Sequence, residues 1–91
     1  MEGGSVLQLF GELLRLIAAT PSPDGKYGGI VADIARKILK ELGIDADVQY
    51  VEVYPHPIFR KTLVLRFAGS YDSFRFYVEQ RGDGAVVNTL Y

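Results

Sequence analysis

The chain has no cysteine and no tryptophan, and it has one histidine, one methionine and one asparagine in 91 residues. Without thiols there are no disulfides, no thiolate zinc centres and no cysteine nucleophiles. A single imidazole, His56, cannot form the paired histidines of common zinc sites. The scarcity of thermolabile side chains points toward a thermophilic source. No apolar run approaches the ~20 residues of a membrane-spanning helix, so no membrane partner is expected. The opening MEGGS offers no basic stretch followed by an apolar core, so no secretory leader is expected and a cytoplasmic location is predicted.

What the chain does contain is enough for one small domain over residues 1–91. Hydrophobic residues make up 48% and charged residues 23%, which is the balance of a folded domain and argues against disorder. At this size a chain buries roughly 60–65% of its unfolded surface, so its stability is modest unless it self-associates.

Ser5 and Gln8 have the spacing of a helix-capping box, and Val6, Leu9, Phe10, Leu13, Leu14 and Ile17 then recur at intervals of three and four. This predicts a first helix, interrupted only by Gly11 and ended at Thr20-Pro21. PSPDGKYGG reads as a helix-to-helix connector, because its Gly-Lys pair lacks the spacing of a phosphate-binding loop. A second helix is predicted from Tyr27, Ile30, Val31, Ile34, Ala35, Ile38, Leu39 and Leu42, with Gly43 as its stop.

Strand patterns follow. In 47–54 Val48, Tyr50, Glu52 and Tyr54 alternate with Asp47, Gln49, Val51 and Val53. Pro55-His56-Pro57 is a turn, and strands are predicted over 58–67, 74–80 and 85–91, with Gly82-Asp83-Gly84 as a hairpin signal. The predicted fold class is α+β: two N-terminal helices packed on a four-stranded antiparallel meander.

Catalytic constellations are hard to build from these residues. His56 sits between prolines with no nucleophile or orienting group at a useful spacing, and Asp45 and Asp47 flank the start of a strand. No enzymatic activity, no metal and no cofactor are expected.

The alternation in 58–81 is more informative. Phe59, Lys61, Leu63, Leu65 and Phe67 fall on one face of the first strand, and Arg60, Thr62, Val64 and Arg66 on the other. In the next strand Phe74, Phe76 and Val78 oppose Ser73, Arg75, Tyr77, Glu79 and Arg81. One sheet face is therefore apolar and the other carries arginine. Charge is spread unevenly: residues 1–54 hold five basic and eight acidic side chains (5 − 8 = −3), residues 55–82 five basic and two acidic (5 − 2 = +3), and Asp83 completes the net −1. Arg60, Arg66, Arg75 and Arg81 have the guanidinium forks that grip phosphate, Tyr77 and Tyr50 could stack on unpaired bases, and Lys61 would lie at the rim. Three readings fit this face: a solvated surface, a homo-oligomer contact, or a site for single-stranded nucleic acid. The last two are compatible. An assembly module with no nucleic-acid affinity is the alternative function.

Two family resemblances bear on this. LLRLIAATPSPDG and IVADIARKILKELGIDADVQYVEV resemble the opening of the di-zinc peptidases of the acetylornithine deacetylase and succinyl-diaminopimelate desuccinylase type. That family's His-x-Asp metal motif has no counterpart, since the nearest position reads Arg81-Gly82-Asp83, so no zinc ligand is implied. The layout of two helices and an aromatic-and-arginine sheet, carried by FRKTLVLRF and FRFYVEQR, resembles the archaeal single-stranded-DNA-binding proteins of the ThermoDBP type. This resemblance implies a homo-oligomer that binds single-stranded nucleic acid, DNA rather than RNA, with little sequence preference.

Overall fold

The structure is a computed structural model, and it describes residues 3–82 and 84–88. Helix α1 spans Gly3–Ala19 and buries Phe10, Leu13 and Leu14. It already runs from Gly3, so Ser5 lies in its first turn and is not the cap that its spacing with Gln8 predicts. A capping sequence marks a favourable start, worth about 1 kcal/mol, and the backbone can begin a turn earlier. The other end agrees with expectation: Thr20 N–H reaches the Ile17 carbonyl at 3.3 Å and Pro21 follows. Gly11, read from sequence only as a helix weakener, is buried. It lines a hollow with Gly84 and Ala85, where the helix packs on the last strand.

The connector after α1 contains a strand. β1 spans Lys26–Tyr27 and pairs antiparallel with β2, Tyr50–Pro55, in the register Lys26↔Glu52 and Tyr27↔Val51. The sheet therefore has five strands where the sequence pattern predicts four. Two residues are too few to show a period of two, so pattern alone gives no signal. Local polar bonds set the strand up. Ser22 Oγ donates to Asp24 Oδ1 at 2.7 Å, and the same carboxylate oxygen accepts the Lys26 N–H at 3.0 Å. These bonds, the serine's first, hold the Asp24 carboxyl below its ordinary pKa. Gly25 adopts φ +69° and its carbonyl accepts the Val53 N–H at 2.7 Å, tying the loop to β2.

Helix α2 spans Ile30–Glu41 and buries Val31, Ala32, Ile34, Ala35, Ile38 and Leu39. It starts later than the apolar pattern implies, because Tyr27 belongs to β1 and Gly29 at φ +59° turns the chain. Its end is as expected. Gly43 takes φ +80°, its N–H bonds the Lys40 carbonyl at 3.0 Å, and Ile44 N–H bonds the Leu39 carbonyl at 2.8 Å, the paired bonds of a Schellman motif.

Arg36 then fastens α2 to the chain beyond it, donating from Nη1 to the Val48 carbonyl and from Nη2 to Asp33. Val48 is buried in the core, although alternation groups it with Tyr50 and Glu52. The regular strand begins only at Tyr50, so the period-two rule does not reach back to residue 48.

β3 spans Thr62–Ala68, β4 Ser73–Arg81 and β5 Gly84–Asn88, and all neighbours are antiparallel in the order β1-β2-β3-β4-β5. Of the last predicted strand, residues 89–91 lie outside the described residues, as does Asp83 of the hairpin signal. The β3–β4 register places Leu63 opposite Val78, Leu65 opposite Phe76 and Phe67 opposite Phe74. These side chains form the predicted apolar face. Under α1 the Phe10 ring lies 5.2 Å from Phe76 and 6.2 Å from Phe67. Such offset and edge-on ring pairs add to the area they bury.

Where β3 leaves the sheet, Gly69 N–H bonds the Asp72 carbonyl at 2.8 Å, and a Cβ on Gly69 would lie 1.8 Å from the Asp47 carbonyl oxygen. No rotamer change relieves a clash between backbone atoms. Gly69→Ala is therefore expected to destabilise the fold by at least about 2 kcal/mol, measured as a drop in the urea midpoint at unchanged m-value.

Candidate functional site

The helices cover one face of the sheet and no element of the described residues packs across the other. On this open face the register stacks side chains in rows that run across the strands. One row is Tyr54–Val64–Tyr77–Asn88, from β2 to β5. Two residues along, about 7 Å away, the next row is Lys26–Glu52–Arg66–Arg75, from β1 to β4. Beyond it comes Tyr50–Ala68–Ser73. On the far side of the tyrosine row lie Thr62–Glu79–Val86 and then Arg81–Gly84. An aromatic row thus borders a cationic one. Val64, 2% exposed between Tyr54 and Tyr77, gives the face an apolar floor.

The arginines differ in what they are free to do. Arg75 is exposed and makes no hydrogen bond or ion pair with a described residue. Arg66 is engaged: its Nε donates to Glu52 Oε1 at 3.0 Å and its Nη2 to Tyr50 Oη at 3.0 Å. The Glu52 bond, followed by the nearby Tyr50 oxygen, raises the Arg66 pKa above its ordinary value. Arg81 donates to Glu79 Oε2 at 2.9 Å, but its side chain is 67% exposed, so that pair is easily exchanged for water.

Arg60 and Lys61 do not belong to the sheet face. β3 begins at Thr62, and both residues sit in the turn closed by Thr62 N–H to the Phe59 carbonyl at 3.0 Å. The strand over 58–67 is shorter than predicted because His56 organises the segment before it. Its Nδ1 accepts the N–H groups of Ile58 at 3.0 Å and Phe59 at 3.1 Å, which bends the chain out of the sheet. His56 is half-buried in this turn, and its ring lies 5.7 Å from that of Tyr77.

Tyr50 is also less available than its position implies. Lys26 Nζ lies 5.4 Å and the Arg66 guanidinium carbon 5.9 Å from its ring centroid, so cations occupy its surroundings. Tyr54 is a site residue that the sequence reading passed over, although its alternation with Tyr50 signals a shared face. Lys26 had no such signal, because its strand was unreadable. With Lys26, Arg66, Arg75 and Arg81 against Glu52 and Glu79, the open face carries 4 − 2 = +2 in a chain of net −1.

A hollow of about 230 Å³ on this face is lined by Thr62, Tyr77, Glu79, Arg81, Val86 and Asn88. Among the described residues no group of three or more histidine and acidic side chains could hold a metal ion, and no helix is long and apolar enough to cross a membrane. Compared with known proteins, the chain matches no family model, no curated protein and no solved structure.

The contrast between the two central arginines is measurable. Arg75→Ala is expected to shift stability by less than about 0.5 kcal/mol, as for an unpartnered surface side chain. Arg66→Ala should cost about 1 kcal/mol, because it strips both bonds from half-buried Glu52 and Tyr50. Chemical denaturation of the two variants side by side checks this.

Proposed function

We propose that the open sheet face binds single-stranded nucleic acid, DNA in preference to RNA, and that the protein does so as a homo-oligomer without catalysing a reaction. The observation that carries this reading is Arg75: an exposed guanidinium with no hydrogen bond or ion pair to a described residue, in a cationic row beside a row bearing Tyr54 and Tyr77. Phosphates would lie along the charged row with Arg75 as the first contact, and unpaired bases would stack on the tyrosines about 7 Å away. A sheet face of this kind reads bases that are splayed out, which a duplex does not offer. Self-association would join faces too small to hold a long strand alone. Arg60 and Lys61, exposed in the turn at the end of β3, would extend the cationic rim.

A second reading is favoured by the exposed apolar side chains at the margins, Ile58 at 74% and Val86 at 44%. In that reading the face closes against another copy or another protein and has no nucleic-acid affinity.

Fluorescence anisotropy of a labelled single-stranded oligonucleotide, from 50 to 200 mM salt, separates the two. With four cations besides Arg66 engaged, drawn from the face and its rim, the log–log salt slope should be about −3, a loss of roughly fifty-fold over that range. Tyr54→Ala should weaken binding by about tenfold through the loss of one stacking platform. Absence of binding at 50 mM salt, with an oligomer seen by light scattering, would support the assembly reading instead.

A further inference from the structure

The Arg66–Glu52 pair is unusual among the charges of the open face because it is held from several sides. Glu52 accepts from Arg66 Nε at 3.0 Å, Tyr50 Oη accepts from Nη2 at 3.0 Å, and Lys26 stands opposite Glu52 in the register. The Arg66 and Glu52 side chains are 29% and 27% exposed, so both partners are half-buried, whereas in the pair with Glu79 the Arg81 side chain is 67% exposed. Resting on the nucleic-acid reading of this face, we infer that Glu52 is an internal competitor for the phosphate: it occupies Arg66 in the free protein and sets how much of the cationic row a strand can use.

The reasoning is one of exchange. A guanidinium grips phosphate best with two parallel N–H bonds. Arg66 already directs Nε at a carboxylate, so a phosphate that takes the same edge must displace Glu52. The exchange conserves hydrogen bonds and gains little. It also leaves an ionised carboxylate beside a polyanion, where like charges repel. Among the described residues Arg75 faces no such competitor, and it lies directly across from Arg66 in the β3–β4 register. A strand therefore docks first on Arg75 and reaches Arg66 only when further contacts hold it in place. Affinity is kept low for isolated phosphates and rises with strand length.

Glu52→Gln removes the charge and keeps the shape and a hydrogen-bonding oxygen. Titrating a labelled single-stranded oligonucleotide should show binding about five- to tenfold tighter than wild type, with the salt slope steeper by about 0.7, the value of one added phosphate contact on a single strand. Two controls separate release of Arg66 from a general change of net charge. Glu41→Gln, on α2 and away from the sheet, should leave both quantities unchanged, and Glu52→Gln combined with Arg66→Ala should lose the gain. Should the glutamine lower the melting temperature, Glu52→Thr, which suits a strand, repeats the test. Wild-type binding that glutamine leaves equal or weaker would overturn the competitor role alone, as would a gain that survives the loss of Arg66. No binding by any variant would overturn both this role and the reading of the face beneath it.

Discussion

The in-phase pairing of β3 with β4 is the constraint on which the rest depends. Leu63, Leu65 and Phe67 on one strand meet Val78, Phe76 and Phe74 on the other, and this shared apolar face is what α1 and α2 cover. Because side chains alternate with a period of two, a slip of one residue would exchange the faces of one strand relative to its neighbour. Arg66 or Arg75 would then point into the helices with nothing to neutralise it, at a cost far above the stability of a domain this size. Burial of the phenylalanines and exposure of the arginines are thus one specification, and the open face is a consequence of the core.

The same logic explains why this part of the molecule was legible in the sequence. Core and open faces from Thr62 to Ala68 and from Ser73 to Arg81 follow from alternation alone, and the α2 stop follows from Gly43. What escaped has a common cause: bonds between segments far apart in the chain, or segments too short to show a period. β1 is two residues long and exists because Gly25 and Val53 meet across the fold. Val48 enters the core ahead of the regular strand, where Arg36, twelve residues away, bonds its carbonyl. Arg60 leaves the sheet because one imidazole nitrogen satisfies two backbone amides, a role for His56 that composition cannot show.

For the candidate site, the sequence identified Arg66, Arg75, Arg81, Tyr50 and Tyr77 as sharing one face, and the register agrees. It could not rank them. Whether an arginine is available depends on what stands across from it, and that is a property of strand order. β2 lies beside β3 and brings Glu52 to Arg66, while the described neighbours of Arg75 bring it no carboxylate. Two residues that look equivalent in the sequence are thereby made unequal.

That inequality suggests how a chain with a net charge of −1 could still handle a polyanion. Long-range attraction by total charge is not available to it, so the local field of the sheet face must act within a Debye length, about 8–10 Å at ordinary salt. The rows of this face are spaced on that scale, and the acidic side chains of α1 and α2 lie on the other side of the core. The negative excess is not on the helices, where Arg15, Arg36, Lys37 and Lys40 outnumber Glu12, Asp33 and Glu41 (4 − 3 = +1); it sits in the connectors, at Asp24, Asp45 and Asp47, while the sheet presents cations to whatever comes close. Carboxylates mixed into the cationic rows lower the local positive field, from four cations to a net +2. On the proposed reading, a partner would be held by stacking as well as by charge, which suits an unpaired strand better than a simple polyanion.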